Sequence, residues 1–276
     1  MPETSTQLQV EAGDRESATV ADRFTLAAML RRAPVVEKER FIEDACRDKV
    51  VLDLGCVRHS AEFATSDPNW LHGRIFLVAA RTVGVDYLAE EVEKLKNTKY
   101  HIVWGDVTRP LPIDEQFDVI VAGDLIEHVT NFEGFFENCR RLLRKDGRLI
   151  ITTPNPFYSG EFHYIAFKRQ FIINPEHTCW IDPQALAQLA ARFSFTIEQA
   201  HYLNQAWNFA NFLCENRNNQ YDIHSGVWSD QSFASKVKRH ALALFFNLFY
   251  RPFRYLTGGK TRLVGYADYV AVLRRM

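Results

Sequence analysis

The run Lys49-Val50-Val51-Leu52-Asp53-Leu54-Gly55-Cys56 constrains this chain more than any other stretch. β-Branched residues and leucines follow a charged helical segment and stop on glycine. That is the profile of a parallel strand buried on both faces, ending where the backbone must turn sharply. Asp53 falls near the carboxyl end of this strand, the edge at which open α/β sheets hold their ligands. The pattern returns in Thr82-Val83-Gly84-Val85-Asp86, in His101-Ile102-Val103-Trp104-Gly105-Asp106 and in Phe117-Asp118-Val119-Ile120-Val121-Ala122-Gly123-Asp124. A lone acid after a strand is ordinary turn chemistry. Four of them in regular βα alternation point to a ligand-binding edge.

Composition sets the outer bounds. A chain of 276 residues, 47% hydrophobic, is long enough for one large α/β domain with a sizeable core. A net charge of -1 gives no general basic surface for nucleic acid, so no nucleic-acid partner is expected. Cys46, Cys56, Cys139, Cys179 and Cys214 are scattered, without CxxC or metal-ligand spacing. Reduced thiols in a cytoplasmic protein, and no metal, are the expectation. The polar N-terminus shows no signal peptide, and no run approaches the ~20 apolar residues of a membrane-spanning helix.

Along the chain, residues 1–19 read as a flexible tail and 20–276 as a single domain, with 204–262 as an inserted lid or accessory segment. Two helices, over 20–32 and on to residue 46, precede the first strand and are expected at the sheet's carboxyl edge. After Gly55, a loop of roughly a dozen residues leads to a helix with Asp67 as N-cap and Pro68 at its first position, running to residue 80. Loops that long between a strand and a helix are often functional. Strands over 82–85, 100–104, 117–122 and 148–153 alternate with helices over 88–96 and 132–143, and Lys145-Asp146-Gly147 reads as a closing turn. Asp182-Pro183 caps a helix to residue 193, a strand follows over 195–203, and 266–273 is the last strand.

As a set, the elements VLDLGC, VGVD, WGDVT, FDVIVAGDLIEHV and FFENCRRLLRKDGRLIITTPNP resemble the class I S-adenosylmethionine-dependent methyltransferases. The resemblance is to the small-molecule and glycan branch that includes quinone-biosynthesis enzymes. It covers about residues 48–200 and the final strand. It implies a Rossmann-like, seven-stranded, mostly parallel sheet with helices on both faces and an antiparallel last strand between the fifth and sixth. It also implies S-adenosyl-L-methionine as cofactor. Asp86 would accept hydrogen bonds from the ribose hydroxyls, as an acceptor-only carboxylate can. Asp106 would take the adenine amino group and the Val107 N–H would donate to the ring. Gly55 would let the backbone approach the methionine half, and Asp53 would orient that loop or the cofactor's ammonium. Cys56, Tyr87 and Asp124 complete the expected cofactor-contacting set.

The chain departs from the family at its glycine loop. Where the family writes G-x-G-x-G, this chain has Gly55-Cys56-Val57-Arg58-His59. Either the loop follows another path or cofactor binding is lost; the retention of Asp86 and Asp106 favours another path. Arg58 or His59 could then pair with the cofactor's carboxylate. A nicotinamide-dependent oxidoreductase fits less well, because its fingerprint has three glycines and an acid about twenty residues on, whereas Asp86 is about thirty beyond Gly55.

Methyl transfer to a hydroxyl needs alignment, exclusion of water and a base. His128, just past the fourth strand, is the candidate catalytic base, and Glu127 reads as structural. His163 and His177 are secondary candidates, with Phe157, Tyr158, Phe162 and Tyr164 as acceptor-pocket or lid aromatics. The expected reaction is O-methylation of a small molecule or glycan, glycan resting on the asparagine-rich 208–219. Alternatives are a degenerate binding protein of this fold without transfer activity, and non-methyl chemistry on the same fold. Residues 233–256 interleave Lys236, Lys238, Arg239, Arg251 and Arg254 with aromatics and leucines. That pattern suits either a lid or dimer helix or a peripheral contact with an anionic membrane.

Overall fold

The computed structural model describes residues 29–158, 174–203, 221–222, 227–228 and 266–276, with single helical positions at 237, 241 and 244. The chain divides into two compact units. The first holds Met1–Asn155, Thr178–Asn204 and Asp268–Met276; the second holds Pro156–His177 and Gln205–Ala267. The insertion expected over 204–262 falls almost wholly in the second unit, which takes 156–177 as well.

The first unit is built on a seven-stranded sheet of order β3-β2-β1-β4-β5-β9-β6. Its strands are β1 (Val50–Leu54), β2 (Arg81–Asp86), β3 (Ile102–Trp104), β4 (Phe117–Gly123), β5 (Leu143–Pro154), β6 (Phe195–Tyr202) and β9 (Asp268–Arg275). β9 runs antiparallel to both β5 and β6, and the pairs from β3 across to β5 are parallel. This is the Rossmann-like arrangement the sequence implied. In the second unit, β7 (Tyr221–Asp222) pairs antiparallel with β8 (Val227–Trp228).

β1 carries an apolar residue on each side of the pleat, and both faces are covered. Val51, Val119, Val121, Ile150, Val270 and Val272 show on one face. Helix α1 (Lys38–Cys46) lays Ile42 and Cys46 on it, and α3 (Leu71–Val78) adds Ile75. Leu52, Leu54, Ile120, Leu149 and Ile151 alternate to the other face and are equally buried. α1 thus lies across a face of the sheet, and its first residue reaches the carboxyl edge.

Three local expectations are corrected. The segment after Gly55 holds a short helix, α2 (Ala61–Ser66), capped by the Ser60 hydroxyl on the Phe63 N–H. Asp67 does not open the next helix: its carboxylate accepts the Asn69 N–H in a turn, and α3 begins at Leu71 behind Trp70. Lys145-Asp146-Gly147 does not precede β5 but bulges within it, since Phe117 pairs with Leu143 and Val119 with Arg148. α4 (Ala89–Leu95), α5 (Phe132–Leu142) and α6 (Pro183–Arg192) fall close to expectation. The Asp182 carboxylate caps α6 on Gln184 and Ala185.

Candidate ligand-binding edge

The carboxyl ends of β1, β2, β3 and β4 bring the four acids of the sequence pattern to one edge. Gly55 takes φ +73, a conformation that favours glycine, and a Cβ there would lie 2.9 Å from Leu125. The Gly55 and Cys56 N–H groups turn back onto the Val85 carbonyl at 2.8 and 3.4 Å. Val57, at the family's second glycine, is wholly buried against Ala61, Val92 and Leu95. Its N–H donates to Asp86 at 2.8 Å. An apolar side chain thus anchors this loop at the position where the family has its second glycine. Arg58 (φ 51) and His59 (φ 69) carry the left-handed backbone instead, strain of order 1 kcal/mol per residue.

Asp86 is 4% exposed. One oxygen accepts from Val57 and the other from the Leu88 N–H at 3.1 Å. Burial raises its pKa, opposed by the backbone N–H groups, with the Asp53 charge adding to the rise. An ionised carboxylate offers about four acceptor positions, more than these backbone donors occupy. Asp53, expected to orient the loop or the cofactor's ammonium, is itself held from α3. It faces the α3 side of the sheet and accepts from the His72 ring Nδ1 at 2.9 Å, both groups buried. Arg58 pairs with Asp67 at 2.6 Å and lies over the Phe63 ring.

Next along the edge, Tyr87 and Trp104 are large exposed rings, at 67% and 58%. The Trp104 indole N–H donates to the Tyr87 carbonyl at 3.1 Å. Asp106 accepts from the Thr108 N–H and hydroxyl, and Arg109 lies 3.5 Å from its other oxygen. Asn138, buried on α5, fixes this loop: its amide donates to the Val107 and Arg109 carbonyls and its oxygen accepts from the Leu111 N–H. Arg141 adds bonds to the Leu111 and Ile113 carbonyls.

Asp124 follows β4 with φ 49. Its N–H and one carboxylate oxygen engage Thr152, while the Lys38 ammonium binds the other oxygen. Burial works against the charge on Asp124, but Lys38 and the Thr152 hydroxyl outweigh it and hold the carboxyl below its ordinary range. Burial likewise opposes the Lys38 charge, and Asp124, Asp268 and Glu39 raise its pKa on balance. Glu127 and His128 sit on a single 3₁₀ turn, Ile126–His128. Glu127 is 2% exposed, with the Thr153 hydroxyl donating to it at 2.9 Å. Burial, then the Asp124 charge, pushes its carboxyl up to about 8. The Thr178 and Cys179 N–H groups both donate to the Glu127 carbonyl.

Lys38, Trp70, His72 and Asn138 were not singled out by the sequence. Two signals were there to read. Lys38 repeats at i, i+4, i+8 with the buried Ile42 and Cys46, so it stands on an apolar stripe. Asn138 shares the buried face of α5 with Phe135 and Leu142. The cysteines Cys46, Cys56, Cys139 and Cys179 are free thiols, each raised by burial. His177, in the second unit, donates its N–H to the Asn174 carbonyl. His163, Phe162, Tyr164, Cys214 and residues 208–219 lie outside the described residues.

Comparison with known proteins identifies the family of this chain. Residues 27–200 match the family described as a methyltransferase domain. A probable S-adenosylmethionine-dependent methyltransferase of Mycolicibacterium smegmatis is 28% identical over 158 residues, 55% of this chain and 54% of that protein. A second, of Mycobacterium tuberculosis, is 31% identical over 150 residues, 52% of this chain and 47% of its own length. The ubiquinone biosynthesis O-methyltransferase of Rattus norvegicus is 28% identical over 139 residues, 44% of this chain and 39% of that protein. The matched part thus spans about half the length or less of these curated relatives. The family match covers well over half of this chain, and the protein belongs to the methyltransferase-domain family.

Proposed function

We propose that this protein is an S-adenosyl-L-methionine-dependent methyltransferase acting on a hydroxyl of a small molecule or glycan. The observation that carries the reading is the pairing of acceptor-only groups with exposed rings on adjacent strand ends. Asp86 closes β2, Trp104 closes β3 opposite it in register, and Asp106 and Tyr87 follow them. Carboxylates suit ribose hydroxyls and an exocyclic amine, and aromatic faces suit a purine. The residues present therefore fit an adenosine group. Asp86, Asp106, Val107 and Tyr87 would hold that half. Gly55, Cys56, Asp124 and the loop bearing Arg58 would flank the methionine half, with Asp53 fixing the base of the loop.

When bound, S-adenosyl-L-methionine supplies a methyl group activated on a sulfonium. The chain's part is to orient, exclude water and accept a proton. His128 is the base in this reading. Glu127, with its carboxyl pushed up to about 8, is a second group able to exchange a proton near neutral pH. Oxygen as the methylated atom is supported by the similarity to an enzyme named as a ubiquinone biosynthesis O-methyltransferase. Among the described residues no helix is long and apolar enough to cross a membrane. We place the protein in the cytoplasm, with residues 233–256 as a peripheral membrane contact.

Calorimetric titration with S-adenosyl-L-methionine is the test. The parent protein should bind, and Asp86→Ala should lose charge-assisted bonds of about 1.5–3 kcal/mol each. Equal affinity in the two proteins would remove Asp86 from the site. Absence of binding to the parent would overturn the function.

A further inference from the structure

We infer that Trp70 and His72, at the N-terminal end of α3, are positioning residues that set the path of the 55–60 loop, His72 by way of Asp53. This rests on reading 55–60 as the cofactor loop. That loop lacks the family's second and third glycines, so something other than glycine must fix it. Two hydrogen bonds come from α3. The Trp70 indole N–H donates to the Cys56 carbonyl at 2.6 Å, in a buried position. The His72 ring Nδ1 donates to Asp53, two residues before Gly55 on β1.

Packing ties the two together. Gly84 lies opposite Asp53 in register on β2. A Cβ at Gly84 would come within 2.6 Å of the Cys56 sulfur and 2.8 Å of His72 Cε1. The loop's Cys56 and the His72 ring are therefore seated over the same bare stretch of strand. The Trp70 and His72 rings lie 5.2 Å apart, and Tyr100 closes on both. The Asp53 charge is felt by Cys56 and by Asp86, the residue that holds the Val57 N–H. Loop, dyad and Asp86 thus form one connected set.

A purely space-filling role for His72 does not account for its chemistry. The residue is wholly buried, and among the described residues its Nε2 has no hydrogen-bond partner. A hydrocarbon of similar volume would fill the space without burying a ring nitrogen unpaired. What the imidazole adds is a donor aimed at Asp53. Trp70 likewise does more than pack, because its one polar atom is spent on the loop's carbonyl.

Three variants test this. His72→Phe keeps a ring and deletes the donor. His72→Asn restores a donor near the Nδ1 position. Trp70→Phe removes the indole N–H, together with part of the ring volume, and keeps an aromatic ring in the buried position. Amide hydrogen exchange of a peptide covering 55–60 is followed without cofactor, with a β5 peptide as the control for global unfolding. Affinity for S-adenosyl-L-methionine is measured in parallel. His72→Phe and Trp70→Phe should each speed loop exchange by about tenfold and weaken the cofactor by about tenfold, with β5 unchanged. His72→Asn should restore both to within about threefold of the parent. Parental loop exchange in His72→Phe, or an Asn variant no better than Phe, overturns the inference. If His72→Phe does not fold, parental loop exchange in Trp70→Phe overturns it. If the parent binds no cofactor, the functional reading falls, while loop exchange still decides the positioning role.

Discussion

At Glu127 the surroundings change what a carboxyl group is at neutral pH. Burial lifts it to about 8, and the nearby Asp124, ionised against Lys38, adds to the lift. In the unfolded chain a glutamate titrates near ~4.3. Between these two values the folded protein keeps a proton that the unfolded chain has released. Stability should therefore fall as pH rises through that window and level off above it. Glu127→Gln copies the shape of the protonated acid and can still accept from Thr153. Its stability advantage over the parent should grow by about 1 kcal/mol per pH unit between pH 5 and 8. Urea unfolding at four pH values measures this. A difference that does not change with pH would show that Glu127 is not the group held protonated. Neighbouring Asp124 has the opposite fate: it is more open to solvent and a lysine reaches it.

At the scale of elements, α5 governs the loop that carries Asp106 and Val107. Asn138 and Arg141 hold that loop by its carbonyls. Gly134 lets the two approach, since a Cβ there would overlap the Thr108 carbonyl oxygen. Two effects compete in Gly134→Ala. Helix propensity alone would stabilise by up to about 1 kcal/mol. Overlap with a backbone atom, which cannot rotate away as a side chain can, typically costs about 1–3 kcal/mol. The overlap should win, giving a net loss of about 1–2 kcal/mol by urea unfolding. A more stable variant would mean that the 107–109 loop gives way at no cost. The helix itself was expected over 132–143, and it spans Phe132–Leu142 with Asn131 as its cap. Its job of gripping a neighbouring loop was not expected, because nothing in α5's own period says which backbone lies against Asn138.

For the molecule as a whole, residues 233–256 carry the membrane proposal. Val237, Ala241 and Leu244 are helical and exposed, at i, i+4 and i+7, with Lys236, Lys238 and Arg239 beside them in sequence. An apolar face flanked by cations suits the surface of an anionic bilayer. The protein should co-sediment with anionic but not neutral vesicles, and salt should weaken binding. No sedimentation with either would leave a lid or dimer helix. The sheet, its edge and its four acids were legible in the linear chain. Strands buried on both faces must be short apolar runs, and the turn that ends each must use glycine or an acid. What those acids hold was decided only by tertiary structure. Asp53 engages His72, Asp86 engages the backbone of Val57, and Asp124 engages Lys38, which precedes it by 86 positions. Periodicity along the chain tells which face a side chain takes. It cannot name the partner, because that depends on which helix crosses which strand and how far along, and only packing of the complete core fixes both.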